Sequence, residues 1–250
     1  MRGSPVTVSL VIGGASGIGR AIVTALHSRG DIVGIVDIDD SGESVARELG
    51  ERATFIHADM STANGPRDAV ENFLALSGGK LDVLYYGPAV LESHPLSEWT
   101  IEQWDHSMSV NLRGAFFACQ SAEKALRASS HGRVILMSST GALRGHAGMP
   151  AYHASKSGML GLVRALADEL APTVTVNAVC PGWIDTPFND PYWSFQDNAE
   201  TARTRLESGI PAGRQGIPED VAGIIEFMTT PAANYITGQS FVVDGGYTAV

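Results

Sequence analysis

Tyr152 and Lys156 stand four apart in a stretch with helical apolar spacing, so a phenol and an ammonium share one helix face. An unperturbed phenol, with a pKa near 10, is a poor base at neutral pH. A neighbouring ammonium favours the phenolate and brings that value down. Such a pair takes a proton from an alcohol or returns one to a ketone. A Tyr–Lys pair at this spacing also arises by chance on many helices, so its surroundings decide. Ser139 lies thirteen residues upstream of Tyr152, just past the apolar run 134–137. If that run is a strand, the hydroxyl sits at its C-terminal edge, where open α/β sheets bind ligands. There it can hydrogen-bond a substrate oxygen beside the phenol.

A second constellation lies near the N-terminus, in Gly13-Gly14-Ala15-Ser16-Gly17-Ile18-Gly19-Arg20. Gly13, Gly17 and Gly19 follow an apolar run and open a helical one. Glycines there permit a tight turn and let backbone N–H groups, around Ser16 and Ile18, approach a pyrophosphate at a helix N-terminus. Asp37 ends the next apolar run, about twenty residues on. A carboxylate at that place accepts hydrogen bonds from both adenosine ribose hydroxyls and repels a 2′-phosphate. The residues that follow, Ile38, Asp39 and Asp40, supply no cation, so the local charge favours NAD over NADP. A third acid, Asp59, closes the run 53–58; it suits an adenine amino group and a turn cap equally well.

The elements that must hold these groups are legible as a rhythm. Runs at 6–12, 32–36, 53–56, 83–85, 134–137, 174–179 and 241–243 are β-branched and near-continuous, as in parallel strands covered on both faces. Helical patterns fall at 19–26, 41–49, 99–108 and 151–170, and another opens at Pro218. Thr100 and Gln103 form a capping-box signature. Strand and helix alternate from end to end, which predicts an α/β fold: one doubly wound parallel sheet in a single domain over 1–250. Residues 186–207 break the alternation. Pro187, Phe188, Pro191, Tyr192, Trp193 and Phe195 crowd there, as in a substrate loop or lid, or a loop packed on its own body.

Composition removes several classes of function. Lys+Arg 17 against Asp+Glu 27 gives a net charge of −10, which opposes binding to nucleic acid, to anionic membranes and to acidic carrier proteins. A hydrophobic share of 44% with 18% charged residues excludes a disordered chain. Two cysteines, Cys119 and Cys180, make neither a disulfide framework nor a four-thiolate zinc site, and a reduced, cytoplasmic setting is the default. The histidines do not fall at metal-ligand spacing, so no metal is expected; His146 and His153 flank Tyr152 and suit solvated or hydrogen-bonded roles. No apolar run approaches the ~18–20 residues of a membrane span. Met1-Arg2-Gly3-Ser4 reads as a tag remnant or as native sequence, and no signal-peptide cleavage pattern follows it.

In order and spacing, these features resemble the short-chain dehydrogenases/reductases over essentially the whole chain. The resemblance rests on the glycine turn at 13–19, Ser139, Tyr152-x-x-x-Lys156, Pro181-Gly182-x-Ile184-x-Thr186-Pro187, and Gly238-Gln239-Ser240-Phe241-Val242-Val243-Asp244-Gly245-Gly246. It implies a Rossmann-type fold and a nicotinamide cofactor, NAD before NADP. It implies that Ser139 orients the substrate oxygen, that Tyr152 is the general acid/base, and that Lys156 lowers the tyrosine pKa and binds the nicotinamide ribose. Asn111 would hold the water of a proton relay through Lys156. Pro181, Gly182, Ile184 and Thr186 would border the nicotinamide carboxamide, and Asp59 and Met60 would flank adenine. The family also implies self-association into a homotetramer or homodimer.

Two departures stand out. Ile12 replaces a common threonine, and Tyr86-Gly87-Pro88-Ala89 replaces Asn-Asn-Ala-Gly. Gly87 and Ala89 are expected to keep contact with the cofactor ribose because they are small. Tyr86 is expected to replace a lost side-chain tether by packing, its hydroxyl finding a partner. Candidate substrate residues are Thr140, Leu143, Met149, Trp183, Phe188, Tyr192 and Trp193. From 183 to 202 there are acids but no Lys or Arg, which disfavours phosphorylated or coenzyme-A substrates. The expected substrate is a neutral polyol, sugar, or cyclic or aromatic alcohol, or its ketone. The rival readings are an NADPH-linked ketoreductase of the 3-oxoacyl type and a decayed nucleotide-binding scaffold.

Overall fold

A computed structural model describes residues 6–250; the first five, including Met1–Ser4, lie outside the described residues. The strands are β1 (Val8–Ile12), β2 (Ile32–Asp37), β3 (Ala53–His57), β4 (Val83–Tyr86), β5 (Gly132–Met137), β6 (Val174–Pro181) and β7 (Ser240–Val243). The helices are α1 (Gly17–Arg29), α2 (Ser41–Leu49), α3 (Gly65–Leu76), α4 (Ile101–Met108), α5 (Gly114–Ala128), α6 (Pro150–Leu170), α7 (Asp190–Ser194), α8 (Ala199–Ser208) and α9 (Pro218–Met228). All strand pairings are parallel, in the order β3-β2-β1-β4-β5-β6-β7. The architecture is the expected doubly wound, Rossmann-type sheet in one domain.

The continuous apolar runs are explained by burial on both faces. β1 and β5 are buried at every position. One core cluster joins Leu10, Leu84 and Leu136 to Phe73 of α3, Ala118 of α5 and Val163 of α6. The other joins Val11, Ile35 and Ile135 to Val23 of α1, Val45 of α2 and Ile225 of α9. The strand order reverses at β1, whose neighbours are β2 and β4. A crevice therefore opens beyond the C-terminal ends of β1 and β4, the place where such sheets take dinucleotides. Among the described residues, no helix is long and apolar enough to cross a membrane.

Local chemistry sets the element ends. Thr100 caps α4 through the predicted box: Gln103 N donates to Thr100 Oγ1 at 3.2 Å, and Thr100 N donates to Gln103 Oε1 at 2.9 Å. A π-helical turn, Ser109–Arg113, joins α4 to α5 and carries Asn111. α3 and α5 have no counterpart among the helical stretches read from the sequence. α5 buries Ala115, Ala118 and Ala122 and so lacks the stripe of large side chains that periodicity detects. Residues 186–207 are not the irregular segment the prolines and aromatics suggest. They form a 3-10 turn, Pro187–Asn189, then α7 and most of α8. Proline is tolerated in the first turn of α7, and Asn198 caps α8 by accepting from Thr201 N at 2.9 Å.

Candidate active site

The glycine turn, the ends of β2, β3 and β4, the Ser139 loop, the start of α6 and the segment after β6 border one cavity of about 590 Å³. Every sequence-expected cofactor residue lies on its wall: Gly13, Ser16, Gly17, Ile18, Gly19, Asp37, Ile38, Asp59, Met60, Gly87, Ala89, Tyr152, Lys156, Pro181, Gly182, Ile184 and Thr186. The sequence spreads these over more than 170 positions; the parallel sheet brings them together because all its C-terminal ends face one way.

At the nucleotide end the residues fit a dinucleotide. Ser16 makes no side-chain cap to α1, and the first helical bond there is Arg20 N to Ser16 O at 3.0 Å. The N–H groups of Gly17, Ile18 and Gly19 take no acceptor among the described residues, leaving a helix N-terminus free for an anion. Gly19 must be glycine, since a Cβ would lie 1.7 Å from Gly13 O. Asp37 is held upright: Oδ2 accepts from Ala15 N at 3.0 Å and Oδ1 from Asp39 N at 3.1 Å. Each oxygen retains capacity for a ribose hydroxyl. Asp59 lies on the wall and serves as a turn cap, its Oδ1 accepting from Ser61 N at 2.7 Å.

At the chemical end, β5 runs out into Ser138 and Ser139. Lys156 Nζ donates to Met137 O at 2.8 Å, and Ser138 Oγ donates to Lys156 O at 2.8 Å, so the first turns of α6 are tied to the end of β5. Ser139 Oγ accepts from Gly141 N at 2.9 Å, which fixes the hydroxyl on the wall. Lys156 Nζ is 5.7 Å from the centre of the Tyr152 ring. Burial pushes the Tyr152 phenol up to about 12, with the Ser139 hydroxyl pulling the other way. Burial also takes the Lys156 ammonium down to about 7. The lysine makes its hydrogen bond to the Met137 carbonyl and not to the phenol. The ammonium is aimed at a backbone carbonyl and is itself easily discharged. At neutral pH the phenol is protonated and suited to giving a proton to a carbonyl oxygen; taking one back needs the charged lysine beside it.

Asn111 is fully buried behind the wall, not on it. Its Oδ1 accepts from Val90 N at 2.7 Å, and its Nδ2 donates to Val90 O at 3.0 Å and Ser155 Oγ at 3.1 Å. The side-chain amide is thus committed to pinning the segment after β4 against α6.

The substrate side is only partly as expected. Thr140, Met149, Trp183 and Phe188 are on the wall, with Phe188 6.1 Å from Tyr152 between ring centres. Leu143 is not: it is 53% exposed, on the outer side of its turn. Trp193 is not either; it is buried behind Trp183, 5.2 Å away, as a second row. Tyr192 supports Trp183 at 4.7 Å. Sequence reasoning missed Leu91, Asn189 and, above all, His146 as wall residues. His146 lies flat against Tyr247, 9° between planes, and edge-on to Trp183 and Tyr192. Burial, His153 and Arg144 push it down to about 4, so it is neutral at working pH. His153 is fixed: Nε2 accepts from His146 N at 2.9 Å while Nδ1 donates to Gly141 O at 2.7 Å. Its proximity to Tyr152 is the only sequence signal that singled out His146, because its partners come from three distant elements.

Comparison with known proteins agrees with this geometry. A family model described as enoyl-(acyl carrier protein) reductase matches residues 13–248. The chain is 32% identical over 247 residues to a 2-dehydro-3-deoxy-D-gluconate 5-dehydrogenase of Dickeya dadantii, covering 97% of this chain and 95% of that one. It is 34% identical over 246 residues to a 3-oxoacyl-[acyl-carrier-protein] reductase of Synechocystis, with 96% of each covered. Among solved structures it is similar to a putative NAD(P)-dependent gluconate 5-dehydrogenase of Beutenbergia cavernae with bound NADP. That match has a TM-score of 0.91 and 32% identity over 99% of both chains.

Proposed function

The chain belongs to the short-chain dehydrogenase/reductase family and is an NAD(P)-dependent oxidoreductase; from that premise we propose that it interconverts a neutral secondary alcohol and its ketone with NAD. The observation that carries this reading is the charge of the cavity wall: Asp37 and Asp59 line it, and Lys156 is its one Lys or Arg among the described residues. Arg20, the cation next to the glycine turn, is already paired with Glu48 at 3.3 Å. A 2′-phosphate beside Asp37 would meet a carboxylate and no free cation. The similar solved structure from Beutenbergia cavernae holds NADP; Asp37 is this chain's own reason to differ. The same lack of cations supports a neutral polyol, sugar, or cyclic or aromatic alcohol, bordered by Met149, Trp183 and Phe188.

Nicotinamide, when bound, supplies the hydride acceptor or donor. Tyr152 gives or takes the proton at the substrate oxygen, and Ser139 holds that oxygen beside the phenol. Lys156 holds the nicotinamide ribose and, when charged, favours the phenolate. Asn111 keeps the floor of the site in register through its bonds to Val90 and Ser155, in place of the water-holding role that the resemblance implied. Ile184 and Thr186, carried on the segment after β6, hold the carboxamide. Residues 186–207 act as the substrate lid, with Pro187, Phe188 and Asn189 at its cavity edge, and copies of the chain associate as a homotetramer or homodimer in the cytoplasm.

A second reading, NADPH-linked reduction of 3-oxoacyl chains, is favoured by the Synechocystis relative. The net charge of −10 argues against an acidic carrier as partner. Absorbance of reduced nicotinamide, followed with NAD and NADP across a panel of secondary alcohols, sugars and 3-oxoacyl thioesters, separates the two. Turnover of a neutral alcohol with NAD is the expected result. Turnover confined to NADPH and oxoacyl thioesters overturns it.

A further inference from the structure

The four residues that leave the family pattern, 86–89, follow directly on Tyr85 in β4. In a strand, successive side chains point to opposite faces, so Tyr85 and Tyr86 go to opposite sides of the sheet. Tyr86 is fully buried on the α5 side, where its hydroxyl donates to Val110 O at 2.6 Å. A Cβ at Gly114 would lie 2.2 Å from that hydroxyl, so Gly114 leaves it room.

Tyr85 is different. Its ring packs on the α1 side with Val11, Ile135, Met137 and Ile184 and is 1% exposed. Yet the residue lines the cavity, and its hydroxyl, which is not among the buried polar atoms left without a partner, reaches the cavity surface with no protein acceptor among the described residues. Its direction is fixed by Gly87: a Cβ there would lie 2.6 Å from Tyr85 Oη. Gly87 N donates to Ile12 O at 2.9 Å, so the hydroxyl lies at the crevice where β1 and β4 end. A hydroxyl that faces a cavity with no protein acceptor is free to donate to a ligand placed there. Burial holds the phenol well above its ordinary pKa, so it stays a neutral O–H donor.

Resting on the dinucleotide reading above, we propose that Tyr85 is a cofactor-binding residue whose hydroxyl donates a hydrogen bond to the middle of the dinucleotide, at the nicotinamide-side phosphate or the ribose it carries. β4 lies between β1, which ends in the glycine turn, and β5, which runs out into Ser139, and all three ends border the same cavity. The middle of a ligand spanning β1 and β5 is what passes over β4. Gly87 is then glycine for Tyr85 as Gly114 is for Tyr86, and the departure is a matched set.

Tyr85→Phe keeps the ring and removes the donor. Binding to the purified protein is measured by titration calorimetry with NAD, ADP-ribose and AMP, and the unliganded melting temperature is recorded. The expected result is about tenfold weaker binding of both NAD and ADP-ribose, equal to ~1.4 kcal/mol. AMP affinity and the unliganded melting temperature stay unchanged. Undiminished NAD binding overturns the proposal. So does an equal loss for AMP, which places the contact in the adenosine half. A melting temperature several degrees lower also overturns it, because the hydroxyl then serves the fold. If the unsubstituted protein binds no dinucleotide, the functional reading falls as well; if it binds and Tyr85→Phe binds equally, only the role of Tyr85 falls.

Discussion

The two ends of the cavity are built by different means. The nucleotide end is made of backbone: a glycine turn, a helix N-terminus and one carboxylate per strand end, each a few residues long and contiguous in sequence. The substrate end is made of side chains brought from far apart. His146 comes from the loop before α6, Trp183 from the segment after β6, Tyr192 from α7 and Tyr247 from beyond β7. A backbone site tolerates few residue types at fixed spacing and so leaves a motif. A side-chain cluster accepts many arrangements of rings and leaves none.

The largest test of that contrast lies where the two ends meet. Tyr152→Phe keeps the ring but removes the proton carrier, so turnover should fall by ~10²–10⁴-fold. NAD affinity by titration should stay within a few-fold, because the nucleotide end is untouched. Near-normal turnover would end the role given to Tyr152. Next in size is the segment 86–89. Writing Asn-Asn-Ala-Gly there removes the buried Tyr86 ring and its bond to Val110, leaving a void against Gly114. Loss of a buried aromatic costs ~3–5 kcal/mol. The restored version should melt well below the parent; a rise in both stability and NAD affinity would show the native segment to be a defect.

The same contrast explains what the sequence disclosed. The sheet was legible because its strands are covered on both faces and read as continuous apolar runs. The residues of the cofactor wall were legible because the glycine turn, Asp37 and the family resemblance together point to them, and the sheet brings them to one cavity. The tether from Tyr86 was legible because position gave the strand end and a buried hydroxyl needs a partner. Tyr85 was not, because its outward difference from a plain strand residue appears only once Gly87 is seen lying over its hydroxyl. Leu143 and Trp193 failed as wall residues for a related reason: exposure on a turn and second-row packing depend on neighbours distant in sequence. α7 and α8 were hidden because prolines and rings signal a loop locally, while their helices depend on Asn198 and on packing against Trp183.

Smaller effects sharpen the nucleotide end. Asp37→Ala should weaken NAD by about ten- to a hundredfold, given ~1.5–3 kcal/mol for hydrogen bonds to a charged group, and should narrow the gap to NADP. Equal affinity for the two in the unsubstituted protein would refute the role of Asp37 directly. Lys156 offers a test free of substrate. Its folded pKa lies near 7, below the ordinary 10.5 of the unfolded chain. Between those values the unfolded state holds the proton and the folded state does not, so stability rises with pH across that window. From pH 7 to pH 9 the melting temperature should gain about 2–4 °C for each ~1 kcal/mol. Lys156→Met should flatten that slope; an unchanged slope would show that the lysine is not the group responsible.

The smallest expected effect belongs to His146, and it tests the substrate end alone. The ring is held by Tyr247, Trp183 and Tyr192, and no hydrogen bond to either ring nitrogen exists among the described residues. With its pKa down near 4, it faces the cavity as a neutral donor and acceptor. That suits a hydroxyl next to the reacting carbon and offers a carboxylate or phosphate no positive charge. His146→Phe preserves the stacking and removes both nitrogens. KM for a hydroxylated substrate should rise a few-fold while kcat stays within about twofold, since the contact is equal in ground and transition states. A substrate without the neighbouring hydroxyl should show no change. The pH side has a definite sign. The unfolded histidine takes a proton near 6.5 and the folded one only near 4, so the native protein loses stability as pH falls through that interval. His146→Phe should lose less between pH 6.5 and pH 4.5, read as a smaller drop in melting temperature. A drop as large as the parent's, together with an unchanged KM, would return His146 to mere packing and leave the substrate end without its polar contact.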